Sequence, residues 1–394
     1  MKTIPLTPVD YVFTGVGSQP ITFVFYFSKR IHSFALKKSL DEALDVFSVL
    51  RSQLRRKSED NYEYVILEEG YTFDVSETDL PFEEAGKVTD YITPVSSLEG
   101  HPLTKIRLTQ TPNGSVLGVS ISHALVDGFS YFYFMVSWAN ICRGEAFFKP
   151  SLDRDVILSH LKPKIRTIES DKMYSDCGLF FREQSREPLT GVPDLDRFLI
   201  SDETIAQHIE NGKKELDVSL TKNDVIAALL WKRYLSIWTT DLDNPMTFLT
   251  CPFDYRRSLD GFPPNYFGCT LCFTAASIDQ KNLDISTIES LGVLIRESVK
   301  NIRNDFVLNS LNTLENFRLK NGLSAMEKIH LRHPQQGMIV TNLTRMPLKD
   351  IDFGYGPPEH FLAFVEIHSS AAILPATDGV EILVVNPPGI EHNK

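Results

Sequence analysis

The hexapeptide His123-Ala124-Leu125-Val126-Asp127-Gly128 constrains this chain more than any other stretch, because it separates two apolar runs of different period. Before it, Val116 to Ser122 reads V-L-G-V-S-I-S, which sets Leu117, Val119 and Ile121 on one side of a strand and Val116, Gly118 and Ser120 on the other. After it, Phe129, Phe132, Tyr133, Val136 and Ala139 recur at helical spacing until Arg143-Gly144, a C-terminal helix signal. The hexapeptide therefore occupies a strand-to-helix turn, where Gly128 permits close backbone approach or a positive φ.

A histidine on such a turn is a candidate general base. Imidazole, with an unperturbed pKa of roughly 6.5, accepts a proton at neutral pH and returns it within one cycle. Asp127 could orient His123 directly, or it could turn away and fix the loop through a buried ion pair. A lone His-x-x-x-Asp also arises by chance around a core histidine, so the rest of the chain has to carry the reading.

Composition sets the outer bounds. The 394 residues exceed a usual single domain and can bury two sizeable cores, and 42% hydrophobic with 23% charged residues is ordinary globular protein. A formal net charge of −11 argues against general nucleic-acid affinity, while leaving room for a local basic patch facing a phosphorylated co-substrate. Five cysteines over this length suggest no disulfide framework, and Cys269 and Cys272, on a strand-like run, would point their sulfurs to opposite faces. His330 and His333 could share a helix face, but Pro334 ends that helix and no second ligand pair follows; both read as surface or capping residues and no metal site is expected. The N-terminus lacks a signal-peptide pattern and the apolar segment Ile21 to Phe27 is strand-like, so cytoplasmic residence without membrane insertion is the expectation. The triplets at Asn113 and Asn342 then carry no glycosylation meaning.

Further segments place the hexapeptide in a pattern: L-T-P-V-D at Leu6 to Asp10, P-L-T-K-I-R-L-T at Pro102 to Thr109, W-A-N-I-C-R-G at Trp138 to Gly144 and L-D-R-D at Leu152 to Asp155. N-D-V-I-A-A-L-L-W-K-R at Asn223 to Arg233, D-Y-R-R at Asp254 to Arg257, P-P-N-Y-F-G at Pro263 to Gly268 and D-F-G-Y-G at Asp352 to Gly356 follow in order. Together they resemble the plant-type BAHD acyltransferases over almost the whole chain. The His-x-x-x-Asp-Gly element is shared with a wider superfamily that includes chloramphenicol acetyltransferases and peptide-synthetase condensation domains, whereas the Asp-Phe-Gly-aromatic-Gly element is far more specific. Ser122 stands where condensation domains usually carry a second histidine. Three departures stand out: Tyr355 replaces the family's tryptophan, Cys269 follows Tyr-Phe-Gly in place of asparagine, and Thr341-Asn342-Leu343 replaces a common Thr-Ser-Trp. The last lies near the acceptor site of plant members, so the reaction is implied and the plant substrates are not.

The resemblance implies an α/β fold of two similar domains with mixed β-sheets flanked by helices, chloramphenicol-acetyltransferase-like, with an active-site tunnel at their interface. Residues 1–161 would form the N-terminal domain, 162–193 a crossover linker marked by Pro163 and a polar stretch, and 194–394 the C-terminal domain, with part of 352–380 returning to the first sheet. It implies acyl transfer from an acyl thioester, acyl-CoA as co-substrate with no tightly bound cofactor, to a hydroxyl or amine of a small-molecule acceptor. His123 and Asp127 are the catalytic motif. His123 as general base would contribute about a hundred- to ten-thousand-fold. Thr341 and Asn342 would face the oxyanion and acceptor, where donors commonly account for roughly 3–4 kcal/mol each. Gly128, Arg256, Asp352, Phe353, Gly354, Tyr355 and Gly356 would be structural, with Arg256 the partner of an outward-turned Asp127 and the motif at Asp352 shaping the cofactor side. A monomer acting on small molecules, with no nucleic acid, is expected. Two other classes stay open: a condensation-type enzyme charged by a carrier protein, and a catalytically silent binding protein of the same fold.

Overall fold

Strand and helix form on either side of the hexapeptide. In the computed structural model, which describes residues 2–83, 86–163, 173, 177–187, 194–238, 245–300, 302–364 and 367–388, Gly114–Ser122 is a strand with every residue buried. Leu117, Val119 and Ile121 enter the main core, while Val116 packs in a smaller cluster with Val24, Tyr26 and Ile92 on the opposite face. On that second face Gly118 permits close approach, since a Cβ there would meet Ile92 and the carbonyl of Tyr91.

This strand is central in a mixed five-stranded sheet ordered His360–Phe364, Pro20–Phe27, Gly114–Ser122, Thr104–Thr111, Thr72–Glu77. All pairings are antiparallel except the last. A late segment of the chain thus supplies an edge strand to the early sheet, pairing Ala363 with Phe23 and His360 with Tyr26.

The helix Gly128–Arg143 starts on an Asp127 cap and stops at Gly144, whose φ of 71° is left-handed. Its buried side is wider than the expected stripe. Tyr131, Phe134, Met135 and Trp138 are buried besides Phe132 and Ala139, whereas Phe129 is 45% exposed. The reason is that almost every turn of this helix is apolar and it is enclosed on more than one side. Phe47, following the helix Ser33–Val46, meets Tyr133 and Phe134 edge-on, and Trp138 donates to Ser39 from that helix.

A second mixed sheet has six strands, ordered Leu271–Asp279, Met246–Asp254, Gly337–Asn342, Ser370–Ala376, Gly379–Val385, Leu195–Ser201. Its central pairings, either side of Gly337–Asn342, are parallel and the others antiparallel. Helices Asp202–Leu216, Lys222–Leu230 and Ile288–Lys300 bury Ile205, Ile226 and Leu291 against it in a second core.

Within the crossover expected at 162–193, residues 164–172, 174–176 and 188–193 lie outside the described residues. Phe180–Phe181 there forms a two-residue strand against Ile329–His330. The helix expected to carry His330 and His333 is accordingly absent, and His333 is buried, not on the surface. Phe180 and Phe248 pack on its ring, and its Nδ1 accepts the Gln336 N–H. Apolar neighbours that are remote in sequence override the local pattern.

Candidate active site

His123 lies just past the end of its strand, and the loop that carries it is fixed from several directions. Ser122 bonds Ser97 at 2.7 Å and accepts from the Ala124 N–H, and Tyr64 donates to the Ala124 carbonyl. Phe13 stacks on the imidazole with centroids 4.0 Å apart and planes 9° from parallel. Nδ1 is buried and makes no hydrogen bond. The ring borders a cavity of about 330 Å³ and is half-buried. Burial lowers its pKa below the ordinary imidazole value, opposed by its own carbonyl, the Asp127 charge and the Val126 backbone. His123 is thus a neutral imidazole at neutral pH, able to accept a proton.

The cavity walls come from both sheets. Ile21 and Phe23 belong to the first, and Ile339, Thr341 and Ala372 to the second. Phe129, Phe132, Phe253 and Phe273 add aromatic rings to the lining.

Asp127 faces the other way. Its carboxylate accepts from Arg256 Nη1 at 2.6 Å and Nη2 at 3.1 Å, from the Thr270 N–H at 2.9 Å and hydroxyl at 2.7 Å, and caps the helix through the Ser130 N–H at 2.8 Å. Burial alone would raise this carboxyl, but the Arg256 charge and hydrogen bonds outweigh it and hold the pKa below the usual carboxylate value. Arg256 also reaches Asp254 at 2.9 Å and the carbonyls of Tyr266 and Gly268, and lies 4.4 Å from the Phe129 ring centroid. Asp127 thus spends its oxygens on the helix start and the second half of the chain. Gly128 opens that helix beside the Met346 methyl, which a Cβ would crowd at 3.3 Å.

Thr341 and Asn342 end a strand at the cavity and differ in availability. Asn342 donates to Asn223 at 3.1 Å and accepts from Thr344 through both its N–H and its hydroxyl. Thr341 is half-buried at the wall and its hydroxyl is not so engaged, leaving it the freer donor of the two.

The Asp352 to Gly356 motif is a self-contained turn. Asp352 Oδ1 accepts the N–H groups of Gly354, Tyr355 and Gly356, and both glycines have positive φ, 94° and 95°. Phe353 packs edge-on to Trp138 at 4.8 Å, and Tyr355 accepts the His32 N–H at 3.1 Å. None of the five residues borders the cavity beside His123, so the motif braces the first half of the chain and does not wall that space. None of the five cysteines borders this cavity either, and all are free thiols.

A second space, of about 500 Å³, adjoins the first and is bordered by Arg182, Arg186, Arg332, His330, His333 and His368. The sequence reading missed it, because its basic groups come from three separated segments. Their alternation in I-H-L-R-H, at Ile329 to His333, was the available signal.

A family model described as Transferase family matches residues 2–389. The chain is 26% identical over 359 residues to a hydroxycinnamoyltransferase of Narcissus pseudonarcissus, spanning 84% of this chain and 78% of that protein. It is 24% identical over 346 residues to a hydroxycinnamoyl-CoA:5-hydroxyanthranilate N-hydroxycinnamoyltransferase of Avena sativa, spanning 82% and 76%. Among solved structures it resembles TRI101 of F. sporotrichioides complexed with coenzyme A and T-2, with a TM-score of 0.77 at 15% identity over 98% of this chain and 95% of that one. At that identity the likeness establishes the fold, the two-sheet architecture expected from the motifs.

Proposed function

The chain belongs to this transferase family, the BAHD-type acyltransferases, and from that premise we propose that His123 is the general base of direct acyl transfer from acyl-coenzyme A to a hydroxyl or amine of a small-molecule acceptor. The observation that carries the assignment is the division of labour in the hexapeptide: the neutral imidazole borders a cavity walled by both sheets, while Asp127 is committed to Arg256. His123 takes the acceptor proton as the nucleophile attacks the thioester carbon. The Thr341 hydroxyl, at the wall of the same cavity, is the donor for the resulting oxyanion, a position worth about 3–4 kcal/mol when filled. Collapse expels the thiolate, and the imidazolium returns the proton to sulfur.

The aromatic walls favour an apolar acyl group, in keeping with the hydroxycinnamoyl donors in the names of the two plant relatives. Coenzyme A enters as co-substrate. The protein works as a monomer in the cytoplasm; among the described residues no helix is long and apolar enough to cross a membrane. The decisive experiment is a screen of acyl-CoA thioesters against mixed alcohols and amines, read by thiol release and product mass. His123→Ala should fold normally and lose at least about a hundredfold in turnover. Wild-type turnover in that variant would refute the assignment.

A further inference from the structure

His123 is placed almost without polar help. Nδ1 makes no hydrogen bond, and among the described residues no side chain hydrogen-bonds the imidazole. A base held by a carboxylate takes its direction from that partner. Here Asp127 is given to Arg256, so the ring takes its direction from the Phe13 face and from its own backbone.

That backbone is a turn over Ser122 to Leu125, closed by the Leu125 N–H on the Ser122 carbonyl at 2.9 Å, with His123 and Ala124 as its central residues. The peptide plane joining Ala124 to Leu125 is held at both ends. Its N–H closes the turn, and its carbonyl accepts the Tyr64 hydroxyl at 2.7 Å. Tyr64 and Ala124 are both fully buried.

Tyr64 belongs to neither of the two large sheets. It lies on the middle strand, Asn61–Ile66, of a small antiparallel sheet, where it pairs with Ile4 of Lys2–Pro5 and Leu54 of Ser52–Ser58. Burial, reinforced by the Asp10 charge, holds the phenol well above its usual pKa, so it keeps the proton it donates. Phenylalanine would fill the same volume, and a buried hydroxyl is costly unless it is bonded. This hydroxyl spends its one proton on the turn that carries the base.

We infer that Tyr64 is a positioning residue for His123: its phenol fixes the tilt of the Ser122–Leu125 turn, and through it the reach of the imidazole into the cavity. Proton transfer needs heavy atoms about 2.6–3.2 Å apart, and a misplacement of about 1 Å can cost about a hundredfold in rate. The ring is the far end of a lever whose pivot is this turn. The inference rests on His123 being the base.

Tyr64→Phe removes the hydroxyl and keeps the ring. Its kcat should fall about ten- to a hundredfold with both KM values within about twofold of wild type, and the acid limb of the pH-rate profile should move upwards as the loosened ring gains water. Tyr131→Phe is the matched control. It also deletes a buried phenol-to-carbonyl bond, to Val119 in the strand leading to His123, and should leave kcat and the limb unchanged. In a His123→Ala background, Tyr64→Phe should change the residual turnover by less than about twofold, because no imidazole is left to aim. If phenylalanine at position 64 prevents folding, 4-aminophenylalanine, a weaker donor on the same ring, takes its place, and kcat should fall a few-fold with the limb displaced in the same direction. Wild-type kcat and limb in a folded position-64 variant overturn the inference. So does an equal loss with and without His123, or the same loss in Tyr131→Phe. Wild-type turnover in His123→Ala alone sinks the base reading instead.

Discussion

Asp127→Ala should unfold the protein before it alters the chemistry. The substitution removes five accepted hydrogen bonds. Losing the cap of the helix Gly128–Arg143 costs about 1 kcal/mol, and stranding a buried guanidinium costs about 3–5 kcal/mol. Arg256 keeps Asp254 at 2.9 Å, which is 37% exposed and takes over part of the charge, so the lower end of that range applies. The sum is about 4 kcal/mol. Arg256→Ala is the harsher partner, because Asp127 would keep only neutral donors from Ser130 and Thr270 while 1% exposed. The double variant should cost clearly less than the two singles added, since one charge no longer waits for the other. Urea unfolding followed by tryptophan fluorescence measures all three, and kcat and KM on the folded fraction complete the comparison. If Asp127→Ala has the wild-type urea midpoint, binds both substrates and fails to turn over, the carboxylate orients His123 and this account of it is wrong.

Other consequences follow from the same geometry. Because burial depresses the His123 pKa, the acid limb of kcat/KM should lie below about 6.5, and Phe13→Ala, which uncovers the ring, should move that limb upwards in a pH-rate profile. Asp127 has a depressed pKa in the fold, so its stabilisation is fully present above the unfolded value of about 3.9 and is lost as pH falls through the lower folded one; denaturation midpoints between pH 5 and 2 should fall less in Asp127→Ala than in wild type. With no cysteine at the cavity and the Ser370 hydroxyl given to the Ile367 carbonyl, donor and acceptor must be bound together; initial rates should give intersecting double-reciprocal lines, and a chaseable acyl adduct in mass spectrometry would contradict direct transfer. Asp352→Ala, which frees three N–H groups away from the cavity beside His123, should lower the thermal midpoint while leaving KM values near wild type.

The strand and helix around the hexapeptide were legible because period two and period 3.6 meet at a glycine, and local sterics decide both. The helix Gly128–Arg143 was legible in extent and not in facing, since a run apolar on all sides carries no orientation. Pairing of Asp127 with Arg256, 129 positions apart, is invisible to periodicity and came only from likeness to a family. His333 shows the opposite failure: its neighbours suggested a helix end, yet rings at Phe180 and Phe248 bury it. The cationic cavity was hidden for a related reason, its arginines being ordinary surface-type residues until Phe180–Phe181 brings the crossover beside Ile329–His330.

The late strand His360–Phe364 has a consequence for biosynthesis. Pro20–Phe27 leaves the ribosome long before His360–Phe364, and its outer edge is satisfied only when that late strand pairs with it. Throughout translation that edge presents P-I-T-F-V-F-Y-F, an apolar, β-prone sequence with free backbone donors and acceptors. Nascent chains stalled before His360 should therefore hold a chaperone at this edge, and fragments ending in the crossover should aggregate where the full chain folds.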